Sequence, residues 1–195
     1  MRALGFALLC LIGAYFHFAG RPVDRAPGIV APLQPRQSNV AGAPRNFVKN
    51  GYQINAIATF EVEALVILME EYRFDQGAAL APVDLALGWG PMSDAAVLEQ
   101  IEFSQGNRFY YWRTSDFPIS RQQIEHNSAN MHLIPANLDI EDRLKSIRPG
   151  NIVRISGYLA DASGTNGWRW RSSLSREDTG AGACELVWVE TLDVF

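Results

Sequence analysis

Tyr52-Gln-Ile-Asn-Ala-Ile-Ala-Thr-Phe-Glu-Val-Glu-Ala-Leu-Val-Ile-Leu-Met-Glu-Glu-Tyr72 is the longest apolar segment of the folded part of this chain, and it contains neither Gly nor Pro. Phe60 and Val62 alternate with Thr59, Glu61 and Glu63, and from Leu65 to Met69 both parities turn apolar. Alternation at a period of two marks a strand with one wet face, whereas a continuous apolar run marks a strand covered on both. The segment is therefore predicted as one long strand that begins half-exposed, ends buried and bends near Ala64.

Shorter strands are predicted over Arg108–Arg113 and Met131–Ile134, and then over Ile152–Leu159, Trp168–Leu174 and Cys184–Leu192. The last three are divided by the turn signals Ser163-Gly-Thr-Asn-Gly167 and Thr179-Gly-Ala-Gly182, which reads as an antiparallel meander. Three short helices lie between. Ser93 is the expected N-cap of the first, and Ser120 with Gln123 forms a capping-box pattern before the second. Ile140, Leu144 and Ile147 stripe the third, which Pro149-Gly150 ends. The expected class is α+β, with an antiparallel sheet or a small OB-like barrel in which Gly157 marks a kink.

Outward from this body, the chain divides into three parts. Residues 1–20 contain an apolar run from Ala3 to Gly20, which at helical rise is about 27 Å long, enough for one membrane span. Cleavage as a signal peptide would place His17 or Phe18 at the −3 position, where a small residue is wanted, so a retained anchor is expected. Residues 21–49 hold Pro22, Pro27, Pro32, Pro35 and Pro44 with five basic residues against Asp24, and read as an extended basic tether. Residues 50–195 form one domain with 11 basic and 20 acidic residues, a net charge of −9 that disfavours a nucleic-acid partner. The two cysteines, Cys10 and Cys184, fall in the anchor and near the end of the body, so they do not pair with each other.

His132 is the first candidate for chemistry. It opens an apolar strand within Asn127-Ser-Ala-Asn-Met-His-Leu-Ile-Pro-Ala-Asn137, where Asn130 or Asn127 could orient its ring as a general base. The competing reading is a buried histidine bonded to backbone. Leu87-Gly-Trp-Gly-Pro-Met-Ser-Asp94 is the most unusual loop: its glycines either shape a cleft floored by Trp89, with Asp94 at its edge, or hold a packed core Trp. Trp168 and Trp170 share one strand face and Arg169 and Arg171 the other, so the rings either stack a ligand or fill the core. Arg171, Ser172 and Ser173 form a polar run beside them that reads as a ligand edge. His126 and His132 lack metal-ligand spacing, so no zinc site and no cofactor is expected. Asp178-Thr-Gly180 matches the loop of aspartic proteases but sits in a charged turn, unlike their buried dyad.

Four segments, Pro82-Val-Asp-Leu85, Gly88-Trp-Gly-Pro-Met-Ser-Asp94, Ser128-Ala-Asn-Met-His132 and Trp170-Arg-Ser-Ser173, together resemble an uncharacterised family of short, single-pass membrane-anchored bacterial envelope proteins. That resemblance implies a membrane anchor in the bacterial envelope, and it carries no catalytic residue. The short N-terminal tail with its single Arg and the Pro-rich spacer place the body on the periplasmic side of the inner membrane, although the positive charge of the tether argues for the opposite topology. The resulting expectation is a membrane-tethered, non-catalytic binding or accessory module with the lipid bilayer and an envelope protein as partners. The alternatives are a hydrolase using His132 with Cys184 or Ser173, and a carbohydrate-binding domain using exposed Trp rings.

Overall fold

A computed structural model describes residues 21–165, 167–175 and 184–195. The apolar segment expected as a membrane anchor and the Asp178 loop lie outside the described residues. Among the described residues no helix is long and apolar enough to cross a membrane.

The quoted segment forms a single 20-residue strand, β3 (Tyr52–Glu71), around which the other strands are arranged. On one side its first two-thirds pair antiparallel with β8 (Ile152–Ser163), from Gln53↔Ser163 to Leu65↔Ile152. Its last third pairs with β4 (Val83–Gly88), from Leu65↔Gly88 to Glu71↔Val83. Two short strands, β1 (Arg36–Asn39) and β2 (Asn46–Lys49), cover the edge of its first half. The path continues from β4 to β7 (Ser128–Pro135), to β10 (Glu185–Val194) and back to β8, with β9 (Arg169–Trp170) on the outer edge of β8. Because β3 bonds both β4 and β8, five strands (β3, β4, β7, β10 and β8) close into a ring.

This arrangement overturns the expected α+β class. The chain is 47% strand and 13% helix, and its main sheet is mixed, since β7 and β10 run parallel from Met131↔Glu185 to Pro135↔Val189. The expected antiparallel meander fails for the same reason: β10 inserts between β7 and β8, and β9 never pairs with it. A parallel pair requires a long crossover, which here runs through helix, β8 and β9. The three helices exist but are short: α1 (Ala95–Leu98), α2 (Arg121–His126) and α3 (Leu138–Lys145). Ser120 and Gln123 complete both bonds of the capping box. Asp94, not Ser93, caps α1, accepting a hydrogen bond from the Ala96 amide.

Inside the ring, Phe60, Val62, Leu85, Leu133, Ile155 and Val187 form one enclosed cluster, into which α3 packs Ile140 and Leu144. β10 carries a bulge at Glu190, opposite the Ser156–Gly157 stretch of β8 where the kink is expected. Two further clusters cover the outside. One gathers Ile134, Leu186 and Trp188 under Trp168 and Trp170; the other gathers Met92, Ile101 and Ile124 under a hairpin of β5 (Glu102–Gly106) and β6 (Phe109–Arg113).

The segment expected as a free tether is bound to the body along much of its length. The Val23 amide donates to the Pro149 carbonyl, and the Arg25 guanidinium donates to the carbonyls of Gly150 and Phe195. Gly150 sits at φ +86, and a Cβ there would collide with the Val23 carbonyl, so only glycine lets the two chains approach. Farther on, the Gly28 amide donates to Asp94 Oδ1 and the Ala31 amide to Ser93 Oγ. Asn50 and Gly51, both at positive φ, make the two-residue turn that folds β2 back onto β3.

Candidate functional site

Pairing of β4 with β7 creates the chemical centre. Along β7, Met131 and Leu133 enter the enclosed core, so Asn130 and His132 must point to the other face. Along β4, Val83, Leu85 and Leu87 enter it, so Asp84 points outward as well. The register sets Asp84 directly opposite His132. Their side chains meet with Nδ1 and Oδ2 2.9 Å apart, both essentially excluded from water. Neither atom makes a well-aligned hydrogen bond, so the contact is one of close apposition at the base of the site.

Arg108 reaches this pair from a different part of the chain. Asn107 and Arg108 form the turn between β5 and β6, and both lie at positive φ, 52° and 71°. A two-residue turn of this kind demands left-handed backbone at both positions, which an arginine rarely adopts. The Arg108 amide is fixed by the Tyr72 hydroxyl at 2.9 Å. Its guanidinium donates to Asp84 Oδ1 at 2.8 Å, to the Ala81 carbonyl at 2.8 Å and to both oxygens of Asp75 at 2.7 and 2.8 Å. It also lies 3.7 Å over the Tyr72 ring. Burial opposes the Arg108 charge, but Asp75 and Asp84 outweigh it and hold the guanidinium more basic than usual. Burial likewise pushes the Asp75 carboxyl up, and the hydrogen bonds and charge of Arg108 prevail, holding it below the usual carboxylate range. Asn130 ties the turn to β7, donating to the Arg108 carbonyl at 3.0 Å and accepting from Gln105 at 2.7 Å.

Of these groups, Asp75, Arg108 and His132 line a cavity of about 760 Å³. Beside them stand Trp168 and Trp170, packed edge to face with centroids 5.8 Å apart, and Phe109. The Trp170 ring lies 4.6 Å from the His132 ring. Gly77 backs Trp170 so closely that a Cβ there would come within 2.7 Å of the indole. Cys184 also lines the cavity, and its thiol faces the Arg108 carbonyl at 4.0 Å. Arg169 and Arg171 stand at the exposed rim.

The residues expected at a site are distributed unevenly over this structure. His132 and Arg171 line the cavity, and Asn130 supports it from behind. Trp89 is buried in the enclosed core and floors no cleft; Asp94 is a helix cap that also holds Gly28. Ser172 and Ser173 have structural bonds: Ser172 Oγ accepts from the Leu186 amide and Ser173 Oγ from the Ser175 amide. Sequence reasoning missed Asp84, Arg108 and Asp75. Asp84 offered a signal, because an ionisable residue inside Val83-Asp-Leu-Ala-Leu87 must be paired if that strand is buried. Among the described residues no group of His, Cys, Asp and Glu could hold a metal ion. Comparison of the chain with protein-family models, curated proteins and solved structures finds no match.

Proposed function

We propose that the chain is a membrane-tethered binding module of the bacterial envelope, whose cavity takes a small cyclic ligand with a flat apolar face and a hydrogen-bonding edge. The observation that carries this reading is one cavity lined together by Arg108, by a fixed, buried His132 in contact with Trp170, and by the partly buried rings of Trp168 and Trp170. Its volume falls within the range of roughly 300–1,000 Å³ common to small-molecule sites. Indole faces stack flat rings, while the His132 imidazole, held against Asp84, supplies a hydrogen-bonding edge for a ligand hydroxyl or amide. Asp84, Arg108 and Asp75 preorganise that wall, so little ordering remains to oppose binding. The apolar segment before Gly20 and the resemblance to envelope proteins support the location.

Chitobiose and adenosine are suitable probes, since both combine a flat face with a polar edge. Saturable change in tryptophan emission with either, lost in Trp170→Ala and His132→Gln while melting stays cooperative, is the expected result. No saturable change with either probe would count against the reading.

A second reading is favoured by one observation: Cys184 lines the same cavity as His132, which Asp84 backs. Cys184 would then be a nucleophile and His132 its base. It predicts that iodoacetamide alkylates Cys184 much more slowly in His132→Gln than in the wild-type chain near neutral pH. Equal rates in the two would leave the binding reading alone.

A further inference from the structure

The docked N-terminal segment changes where the body must sit. Only Arg21 and Pro22 separate Gly20, the end of the apolar run, from Val23, which is already bonded to Pro149. Three residue steps span at most about 10 Å. Arg25 then bonds Gly150 and the carbonyl of Phe195, so the chain joins the body beside its C-terminus. Arg21 and Arg25 flank Val23 in sequence with Asp24, and Arg148 adjoins Pro149, whereas residues 50–195 carry a net charge of −9. Phe195 is 56% exposed there.

We propose that this end of the strand ring, around Pro149-Gly150 and Phe195, is a lipid-facing surface, and that the cavity is held away from the bilayer. The inference rests on the membrane-tether reading above. Its partner is a bilayer with anionic headgroups, to which the entry arginines are drawn while the acidic remainder of the body is not.

Strand register gives the separation. Ile152 of β8 lies at the entry end, bonded to Phe195. Ala162 of β8 pairs with Trp170, and His132 is at the level of Ala160, through Leu186 of β10. Eight to ten residues of β8, about 26–33 Å of strand, separate the entry from the cavity on that side; on the other, Val66, bonded to Gly150 and Asn151, lies four residues from Glu70, which pairs with Asp84 opposite His132, about 13 Å along β3. A headgroup resting on Phe195 would thus leave the cavity open to small ligands arriving from the aqueous side.

The full chain, with Cys10→Ser and Cys184→Ser, can carry a single fluorophore at Phe195→Cys or at Phe74→Cys. Phe74 is 99% exposed and adjoins Asp75 at the cavity. In vesicles of phosphatidylcholine and phosphatidylglycerol bearing headgroup nitroxides, the label at 195 should be quenched several-fold more than the label at 74. Equal quenching, or stronger quenching at 74, would overturn the proposal. Failure of the chain to float with the vesicles would overturn it too, along with the anchor. Loss of every tryptophan-emission response to the probes, with 195 still quenched, would sink the cavity reading and leave the lipid-facing surface standing.

Discussion

His132 and Leu133 are neighbours on β7, yet they belong to two regions held together by different physics. Leu133 enters the enclosed cluster with Phe60, Leu85 and Val187, where shape and area removed from water determine stability. His132 faces the outer cavity, where Asp84, Arg108 and Asp75 form a chain of alternating charge and two indoles pack beside them. The inner region tolerates apolar substitution in proportion to the volume lost. In the outer region each charged group is needed because its partner has been taken out of water. The difference locates function: the strand's inward residues close the ring, and its outward residues are arranged around a space.

The comparison is most severely tested at Arg108. Arg108→Ala should cost about 3–5 kcal/mol, because fully buried Asp84 would lose its cation, and adding Asp84→Ala should recover part of the loss in denaturant melts. If the double variant is no better than the single one, charge pairing is not what the outer region depends on. For the inner region, Leu133→Ala should cost about 2–5 kcal/mol, and no second substitution among the charged residues should rescue it.

Tyr110 of the hairpin sharpens the contrast by titration. Burial, partly offset by its hydrogen bond to Ser128, pushes its hydroxyl up to about 12. A raised value in the folded chain means the stability is complete below the ordinary tyrosine value near 10 and is lost as pH rises through about 12. The loss from Tyr110 should amount to roughly 2–3 kcal/mol, and Tyr110→Phe should lose less stability than the wild type by that amount, the remainder coming from Tyr72, which burial also raises, as read from melting across that interval. The smallest effect is expected at Asp94, which caps α1 and holds Gly28: Asp94→Ala should cost about 0.5–2 kcal/mol and raise amide exchange at Gly28, with no effect on the cavity.

Local pattern made some of this legible and left the rest hidden. The strand over Tyr52–Glu71 announces itself by alternation followed by a continuous apolar run, and Ser120 with Gln123 announces α2. The class was misjudged because helices of four to eight residues leave signals as clear as longer ones, and because the parallel β7–β10 pairing depends on contacts more than 50 residues apart. The prolines before Tyr52 point to a spacer, whereas Asn50-Gly51 is a strong hairpin signal that returns the segment to β3. At the site, His132 and the Trp168–Trp170 pair were visible as residue types. Asp84 needed knowledge of which strand lies opposite, and Arg108 needed the hairpin that swings its tip over Tyr72. Trp89 misled because two flanking glycines suit a packed core indole as well as a cleft.

The central claim is that the cavity lined by His132, Arg108 and the two indoles is a ligand site. Titration of the wild-type chain and Trp170→Ala with chitobiose and with adenosine, followed by tryptophan emission, tests it most directly. The account predicts saturation in the wild type with at least one probe and none in a Trp170→Ala chain that still melts cooperatively. Identical titration curves in the two chains would contradict it.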